Sequence, residues 1–407
     1  MTSIQTCKLC LYQKTHPLGL TFNEDGVCSG CSIHDEKNTL DWDHRWKRLE
    51  GLVNTYRLAS GKNYDCVVPV TSANDSYYIV HLVKERLGLN PLLVAYNKYF
   101  NTPVGIKNLA NLRIRFNCDL MIQNVNPISV KKITKSTLIN FGSIYWPCLA
   151  GHSVFPVQIA VRFKIPLIIW GAHQGLEQVG MFSHEHEVEM TRRYRKDHDL
   201  MGYEADDLLS NFDTLREHDI WQYRYPDDKA LQQIGVRGIY LGNYVRWDPK
   251  VQHEKMIQKY GYLTTKFSRT FDTYDHTDCY NFMDLHDYLK LVKHGYSKVT
   301  DHATREIRHG RLTRAQGMYL VQKYSKGELK HLDKFCDWLG IDIKSLNFII
   351  NQHRNPVFWY EFSPGEWKCK NKCKIIDETP ISIDFSVNSS FGPEFDNTYT
   401  TIGKGWP

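Results

Sequence analysis

The sequence predicts an α/β protein with a doubly wound parallel sheet, a small N-terminal cysteine module and a helical C-terminal region. Residues 64–97 have the pattern of a strand, a turn, a helix and a second strand, which is typical of a parallel crossover unit. Two C-x-x-C pairs lie within the first 31 residues, and from Leu285 onward apolar residues recur at helical spacing. We therefore expect three regions, 1–45, 46–260 and 261–407.

The central unit begins with a short apolar run from Cys66 to Val70. Its length and β-branched content are typical of a buried parallel strand. The following helix carries apolar residues at helical spacing and ends at Gly88. A second apolar run, Pro91 to Tyr96, completes the unit, and as a parallel crossover it should be right-handed.

The turn between the first strand and its helix is made of small or cap-forming residues. They are Thr71, Ser72, Ala73, Asn74, Asp75 and Ser76. At such a turn the free N–H groups and the helix dipole both favour an anion, and phosphate is the obvious ligand. The alternative is purely structural, since any α/β protein needs turns of this kind.

Three further segments have strand patterns: 119–123, 165–171 and 239–241. Helices are predicted at 33–60, 102–116, 131–139, 155–163, 300–311, 313–324, 329–339 and 343–351, and a loop at 141–152. Ligands of open parallel sheets bind beyond the carboxyl ends of the strands. Gly171, Ala172, His173 and Glu177 should therefore share a crevice with the turn at 71–76. A packed or surface histidine is the alternative reading for His173.

The composition limits the classes of partner. A net charge of +6, from 51 basic and 45 acidic residues, is too thin an excess to indicate a nucleic-acid partner. The uncharged run between Lys135 and Arg162 is broken by polar residues, so we expect no membrane span. No apolar leader precedes Cys7, and we expect a cytoplasmic protein.

Eleven cysteines, an odd number, do not suggest a disulfide scaffold. Cys7, Cys10, Cys28 and Cys31 form two C-x-x-C pairs with seventeen residues between them. That separation lets two knuckles converge on one tetrahedral Zn²⁺. Four cysteine ligands leave no open position, so this zinc is predicted to support folding rather than chemistry. The alternative is four reduced structural thiols.

Residues 181–199 are dense in titratable groups. His184, Glu185, His186 and Glu187 could bind a metal, but a charged solvated helix is favoured. Arg192, Arg193 and Arg195 would suit a substrate carboxylate or a pyrophosphate.

The turn resembles the pyrophosphate-binding loop (PP-loop) of the N-type ATP pyrophosphatases, Ser-Gly-Gly-x-Asp-Ser after a hydrophobic strand. Asp75 and Ser76 match, Thr71 takes the place of the first serine, and Ser72 and Ala73 replace the two glycines. Glycine normally lets backbone approach phosphate closely, so both replacements matter.

The chain to about residue 360 resembles the N-acetyl sugar amidotransferase family, which makes acetamidino sugars for bacterial surface glycans. The blocks that carry this resemblance, in order, are CKLC, GVCSGC, YDCVVPVTSANDS, NPLLVAYN, FPVQIAVRFKIPLIIWG, GMFSHEHEVEMTRRYRKDH and DHATREIRHGRLTRAQG. The branch most similar in appearance acts in pseudaminic or legionaminic acid pathways. The chain departs from the family at Ser72, Ala73 and Asn74, where a glycine pair and a lysine are usual. It also departs at Ala172, where an acid is expected, and at Leu149, where a histidine is expected.

The resemblance implies a PP-loop ATPase fold and an ATP-dependent reaction. The oxygen of a sugar acetamido group would be adenylated, and ammonia would then displace AMP to leave an acetamidino group. The implied catalytic residues are Asp75, Ser76, His173 and Glu177, with Mg²⁺ held through Asp75. The implied ATP-binding residues are Thr71, Ser72, Ala73, Asn74, Asp75, Ser76, Asn97 and Gly171. The chain has no recognisable glutaminase signature, so a separate glutaminase subunit would supply the ammonia to a sugar or nucleotide-sugar substrate.

Two other readings stay open. The altered loop favours a degenerate relative that binds a nucleotide sugar or a partner enzyme without turning over ATP. A thiolase acting on tRNA would share the fold and often the zinc, but it predicts a basic RNA-binding face.

Overall fold

A five-stranded parallel sheet forms the centre of the protein, for which the computed structural model describes residues 4–73 and 75–370. Its strands are β1 (Cys66–Pro69), β2 (Pro91–Tyr96), β3 (Asp119–Gln123), β4 (Leu167–Trp170) and β5 (Arg237–Tyr240). The strand order is β3-β2-β1-β4-β5, and every neighbouring pair is parallel. The chain thus adds strands first on one side of β1 and then on the other, which confirms the predicted α/β class.

Helices surround this sheet and connect its strands. In the first 260 residues they are α1 (Ser29–Glu36), α2 (Trp42–Ser60), α3 (Ser76–Val80), α4 (Pro103–Arg115), α5 (Pro127–Phe141), α6 (Trp146–Phe163), α7 (Gln174–Glu177), α8 (Arg192–Tyr194), α9 (Ala205–Asn211), α10 (Glu217–Ile220), α11 (Asp228–Ile234) and α12 (Pro249–Tyr260). Helix α3 continues as a π-helical turn, His81–Arg86. The predicted boundary between residues 45 and 46 falls inside α2.

The C-terminal region is mainly helical. Its helices are α13 (Asp287–His294), α14 (Lys298–Arg308), α15 (Arg314–Tyr324), α16 (Leu332–Leu339) and α17 (Ile343–Gln352), and a hairpin of β6 (Trp359–Ser363) and β7 (Glu366–Cys369) follows them. Leu285, Leu289 and Val292 pack with residues of α16 and α17 in one apolar cluster. The helical spacing of these residues in the sequence therefore corresponds to a buried face.

The sheet core is apolar on both faces, as a parallel sheet covered by helices requires. All six residues of β2 are buried, and so are three of the four residues in β1 and in β4. Val67 and Ile168 pack with α6 on one side, and Val68 and Ile169 pack with α3 on the other. This two-sided burial explains why the strands read as continuous apolar runs.

The predicted loop at 141–152 is wrong over its second half, because α6 begins at Trp146. Pro147 lies in the first turn of that helix, where its missing N–H costs nothing. Gly151 lies so close to β2 that a Cβ there would approach Tyr96 Cδ2 to 2.1 Å. Pro147 and Gly151, which suggest a loop in the sequence, here allow a helix to begin and to pack closely on the sheet.

The predicted solvated helix at 181–199 is also wrong. The segment is largely irregular and contains only α8 and a π-helical turn, Arg195–Asp199. His184 is fully buried and Arg195 is 4% exposed. Charged residues of this segment are therefore divided between the protein interior and solvent, where Arg193 is 92% exposed.

No helix within residues 4–73 and 75–370 combines the length and the apolar character that crossing a bilayer would require.

Candidate functional site

The loop that follows β1 lies at the carboxyl edge of the sheet, where the strand order reverses between β1 and β4. Open α/β sheets bind ligands at such a switch point. The fold therefore places residues 71–76 where a ligand would be expected, although Asn74 lies outside the described residues.

The hydroxyl groups of this loop bind the loop itself. Thr71 N donates to Ser76 Oγ at 2.9 Å, and Ser76 Oγ donates to the Ala73 carbonyl at 3.0 Å. Thr71 Oγ1 donates to the same carbonyl at 2.8 Å and accepts from Ala73 N at 3.2 Å. Thr71 and Ser76 thus fix the shape of the turn, and Ser76 is a positioning residue in this structure.

The loop contributes to the walls of two cavities. The smaller cavity has room for little more than one water molecule, about 20 Å³, and its lining includes Thr71 and Ser72. The larger cleft offers about 220 Å³, and its lining includes Asp75. Of the two, only the larger cleft has room for a small-molecule ligand.

The walls of the larger cleft come from all parts of the chain. The cysteine module supplies Tyr12 and His34, and the segment after β4 supplies Ala172, Glu177 and Gln178. The C-terminal region supplies Asp275, His276, Lys298, Asp301, His302, Thr304, Arg305, Arg308 and His309. The cleft is thus dominated by titratable side chains.

Asp75 is the loop's charged contribution to this cleft. Its burial, with smaller effects from Asp275 and Glu177, raises the pKa of Asp75 to about 7, and Arg305 opposes the rise. Near neutral pH the carboxyl group can therefore hold or release a proton.

Glu177 lies in the same cleft, as the sequence predicts. Its Oε2 pairs with the Nζ of Lys37 at 2.5 Å, and Lys37 is only 1% exposed. Lys37 Nζ also donates to the Trp247 carbonyl at 3.4 Å. Glu177 Oε1 is buried and has no hydrogen-bond partner within the described part of the chain. One carboxylate oxygen is therefore left available to a ligand or cation in the cleft.

His173 lines neither cavity. It is 2% exposed, and its Nδ1 accepts a hydrogen bond from Gly175 N at 3.0 Å, which caps α7. Burial lowers the pKa of His173 to about 4, with a smaller contribution from His198. His173 is therefore a packed histidine, which was the alternative interpretation of the sequence. It does not line the cleft that contains Asp75.

Gly171 and Asn97, two of the predicted ATP-binding residues, contact other parts of the protein. Gly171 allows close packing, and Asn97 makes hydrogen bonds within the protein. A Cβ on Gly171 would approach Ile79 Cδ1 to 2.8 Å, so the glycine lets β4 pass close to α3. Asn97 lines the smaller cavity and donates from Nδ2 to Asn124 Oδ1 at 2.7 Å. Its Oδ1 accepts from Tyr99 N at 3.0 Å. Asn97 therefore shapes the connection after β2 at the cavity wall.

Two groups of metal-binding side chains occur within residues 4–73 and 75–370. The first is Cys7, Cys10, Cys28 and Cys31, all buried. Cys7 Sγ and Cys31 Sγ are 3.9 Å apart, and Cys10 Sγ and Cys28 Sγ are 3.6 Å apart. Tetrahedral zinc with bonds of 2.3 Å requires about 3.8 Å between sulfurs. Cys10 N and Cys28 N both donate to Cys7 Sγ, at 3.4 and 3.3 Å, which suits a thiolate. These four cysteines could hold a zinc ion, as the spacing predicts.

The second group is Asp272, Asp275 and His302. Here an arginine already occupies the carboxylates, because Arg305 Nη2 lies 2.5 Å from Asp272 Oδ2 and Arg305 Nη1 lies 3.4 Å from Asp275 Oδ2. His302 Nδ1 shares a hydrogen bond with Thr270 Oγ1 at 2.7 Å. The guanidinium neutralises this group without a metal.

The cysteine module is attached directly to the cleft wall. Tyr12 Oη donates to Asp301 Oδ1 at 2.8 Å. Arg308 donates to the carbonyls of Glu177 and Gln178 at 3.1 and 2.8 Å, and its Nη2 lies 3.7 Å from Cys28 Sγ. A side chain at Gly30 would collide with Arg308, since a Cβ there would lie 2.2 Å from Nη2. The module is thus a structural part of the cleft.

The arginines of segment 181–199 are paired within the protein. Arg192 Nη2 lies 2.8 Å from Glu204 Oε2, and the buried Arg195 also pairs with Glu204. Arg193 is 92% exposed and lies 3.6 Å from Asp197. None of the three lines either cavity, and neither metal-type group includes His184, Glu185, His186 or Glu187.

The charged face of α14 is a part of the cleft that was not predicted from the sequence. Lys298, Asp301, His302, Arg305, Arg308 and His309 recur at intervals of three and four residues and all line the cleft. A polar stripe with that period marks one face of a helix. This periodicity was the available signal, but it does not distinguish a face that lines a cleft from one in solvent.

Comparison with known proteins shows that the C-terminal part of the chain is similar to a described family. Residues 254–374 match the family described as "LPS biosynthesis protein WbpG-like, C-terminal domain". A curated relative, the uncharacterized protein MJ1599 of Methanocaldococcus jannaschii, is 25% identical over 118 residues. That alignment covers 29% of this chain and 42% of the relative, so the chain spans less than half the length of the relative that it matches.

Proposed function

We propose that this chain is an ATP-dependent amidotransferase that converts the acetamido group of a sugar or nucleotide sugar into an acetamidino group. The family match supports a role in the biosynthesis of a surface glycan such as lipopolysaccharide. The amidotransferase chemistry is inferred from the residues of the site and from the resemblance of the loop to PP-loops.

One observation carries the proposal. The segment that matches the glycan-biosynthesis family, 254–374, supplies Asp275, His302 and Arg305 to the same cleft into which the loop after β1 directs Asp75. The loop after β1 and the family-specific region thus line one cleft of about 220 Å³.

The proposed chemistry has two steps. An amide carbonyl is a poor electrophile, so its oxygen first attacks the α-phosphorus of ATP and pyrophosphate leaves. Ammonia then adds to the resulting imidate carbon, and the C–O bond to AMP breaks. The products are the amidine, AMP and pyrophosphate. Negative charge develops on the phosphates during the first step, and N–H groups of this loop other than those of Thr71 and Ala73, which donate within the turn, would stabilise it.

The donors in the cleft suit Mg²⁺, which prefers carboxylate oxygens. Asp75 and Glu177 both line the cleft, and Glu177 Oε1 has no partner among the described residues. These residues would hold the ion, which would supply charge neutralisation for the phosphates. Because Asp75 has a pKa of about 7, a cation there would also displace its proton.

Ammonia is nucleophilic only in its unprotonated form, so we propose that a separate glutaminase subunit delivers it. Cys66, Cys118 and Cys148 are buried, and burial raises the pKa of all three thiols. Raised pKa values suit packed thiols better than glutaminase nucleophiles. Ammonia release from glutamine by this chain alone would refute this division of labour.

The experiment is a pyrophosphate-release assay with Mg²⁺-ATP, ammonia and a panel of acetamido sugars and nucleotide sugars. We expect release that requires both the sugar and ammonia. Asp75→Asn should reduce the rate by about a hundredfold or more, as expected for a group at the developing charge. Asp228→Asn is a suitable control, since Asp228 is 77% exposed and lines neither cavity. Binding of ATP without any turnover would contradict the proposal.

A second candidate function is a binding protein derived from such an enzyme. The observation in its favour is the loop itself, where Thr71 and Ser76 use their hydroxyls within the turn and Ser72 and Ala73 replace glycines. If the wild-type chain is inactive and the double variant Ser72→Gly/Ala73→Gly gains pyrophosphate release, the binding-protein function is favoured.

A further inference from the structure

Residues 177–180 lie between the cleft and the cysteine module. Val179 is fully buried and packs in the same apolar cluster as the four cysteines. Its carbonyl accepts a hydrogen bond from Ser29 Oγ at 2.6 Å. Gly180 lies so close to the module that a Cβ there would approach the Ser29 carbonyl oxygen to 2.3 Å. This segment therefore contacts the module directly, while its first two residues line the cleft.

Arg308 reaches both the segment and the module from α14. Its Nη1 donates to the carbonyls of Glu177 and Gln178, at 3.1 and 2.8 Å. Its Nη2 lies 3.7 Å from Cys28 Sγ, and its Cζ lies 5.2 Å from the centre of the Tyr12 ring. Within the described residues these contacts are with carbonyls, a sulfur and a ring, and none is with a carboxylate. The charge of the guanidinium is thus directed at a cysteine rather than at an acidic side chain.

A zinc ion in the cysteine module would make this contact important. Zinc with four thiolate ligands carries a net negative charge, and all four cysteines are buried. A buried charge is costly unless a partner compensates it. The N–H groups of Cys10 and Cys28 supply dipoles to Cys7 Sγ, whereas Arg308 supplies a full positive charge beside Cys28 Sγ. Groups that contact the ligands of a metal change its affinity by about ten- to a hundredfold.

We propose that Arg308 is a positioning residue that couples the zinc group to the cleft. One of its nitrogens stabilises the zinc-bound thiolate of Cys28, and another holds the backbone at Glu177 and Gln178. Loss of zinc would return the cysteines to neutral thiols, so the guanidinium would lose its anionic partner and its hold on the two carbonyls would loosen. Zinc would then control the position of Glu177 without contacting a substrate. This coupling goes beyond the proposed function and does not require ATP.

The test combines two measurements on the full chain. Zinc affinity is measured by competition with a chelator of known affinity, and Arg308→Gln should bind zinc about ten- to a hundredfold more weakly than the wild type. Amide hydrogen exchange in residues 174–181 is then followed by mass spectrometry. With zinc bound, this exchange should be faster in Arg308→Gln, because glutamine is too short to hold both carbonyls. Removing zinc should speed the same exchange in the wild type and change it little in the variant.

The matched control is Arg314→Gln. Arg314 also binds the cysteine module, with Nε donating to the carbonyls of Cys7 and Cys10 at 3.3 and 3.2 Å. It therefore attaches the module through the backbone, and it should leave zinc affinity and exchange in residues 174–181 close to those of the wild type. If Arg308→Gln does not fold, Arg308→Lys keeps the charge but loses the planar fork. That variant should retain zinc and still show faster exchange.

Each possible failure has a distinct meaning. A wild-type chain that binds no zinc, an unchanged zinc affinity in Arg308→Gln, or an equal loss in Arg314→Gln would overturn the role of the Arg308 charge. Weaker zinc binding with unchanged exchange in residues 174–181 would overturn the coupling to the cleft. If the zinc-free chain unfolds as a whole, which faster exchange throughout α17 would show, the comparison of the zinc-loaded proteins decides. Because no nucleotide is used, these results are independent of the pyrophosphate-release assay that tests the proposed function.

Discussion

The two groups of side chains in the described chain that could hold a metal differ in whether a counter-charge is already present. Cys7, Cys10, Cys28 and Cys31 have sulfur separations that suit zinc, and backbone N–H groups face one of the sulfurs. Asp272, Asp275 and His302 are gathered as closely, but Arg305 lies against both carboxylates. A compact set of donors therefore does not define a metal site until its existing counter-charge is considered.

The carboxylate of Asp75 is a third case. It belongs to neither group of possible metal ligands, and no contact with an arginine balances its negative charge within the described chain. Burial raises its pKa to about 7 instead, so a proton provides the neutralisation. Arginine neutralises one of these three sites and a proton can neutralise another, whereas the cysteine group could be neutralised by zinc. We therefore expect the three sites to respond differently when the neutralising group of each is removed.

Removal of zinc should have the largest effect. Structural zinc sites contribute about 10–16 kcal/mol in apparent binding free energy. Cys28→Ser, or a strong chelator, should therefore release one zinc ion per chain and lower the melting temperature by more than ten degrees, an order-of-magnitude expectation. Metal analysis and circular-dichroism melting test this.

Cys118→Ser is the matched control, since Cys118 is also buried but donates only to the Phe116 carbonyl. It should retain zinc. Metal-replete protein that contains no zinc would contradict the assignment.

Arg305→Gln should have the next largest effect. It would leave Asp272 and Asp275 without their arginine, whereas Glu306 keeps Arg311. Breaking a buried ion pair by removing one partner costs about 3–5 kcal/mol. Urea unfolding should show this loss, and Mn²⁺ should restore part of it because the vacated group now has carboxylate and imidazole donors.

Arg193→Gln is the control, because Arg193 is 92% exposed, and it should change stability by less than about 0.5 kcal/mol. Unchanged stability of Arg305→Gln, with no response to Mn²⁺, would show that Arg305 does not neutralise this group.

Asp75→Asn should alter the pH dependence of stability. The folded pKa of about 7 lies above the ordinary value of 3.8. Between these values the folded protein keeps a proton on Asp75 that the unfolded chain releases, so this group's stabilisation is present at low pH and falls as pH rises. The fall is at most about 4 kcal/mol for a shift of this size.

Urea unfolding between pH 4.5 and 8 measures this dependence, and the difference between wild type and Asp75→Asn isolates the one group. The asparagine variant should gain stability relative to wild type as pH rises. A difference that does not depend on pH would show that Asp75 is ionised throughout.

The sequence predicts the scaffold much better than the cleft. Strands β2 and β3 have the predicted limits, because turn residues bound both apolar runs. The spacing of the two C-x-x-C pairs also predicts the group of four cysteines that could hold zinc. Loop 71–76 was identified through local pattern and resemblance, so its place at the switch point follows from the fold class.

The cleft is less predictable because its residues meet only through tertiary packing. Arg308 is an ordinary basic residue in the sequence, and it becomes informative only when its guanidinium is found between Cys28 and the carbonyl of Glu177. His173 shows the opposite error. It follows the correct strand, yet it turns inward to cap α7. Local sequence places a residue at an edge of the sheet, but it does not determine which way the side chain points.

Tyr12→Phe should have the smallest effect, and it tests whether the zinc group and the cleft are coupled. The variant removes the hydrogen bond from Tyr12 Oη to Asp301 Oδ1, while Asp301 keeps Gln178 Nε2 at 2.9 Å and Lys290. We expect a loss of about 1–2 kcal/mol in urea unfolding. Because Tyr12 belongs to the cysteine module, the same substitution should cost less once zinc has been removed. The difference between the two measurements is the coupling energy.

Tyr360→Phe, at a tyrosine that is 42% exposed, should have no such dependence on zinc. An equal cost of Tyr12→Phe with and without zinc would mean that the module holds its place on α14 without the metal.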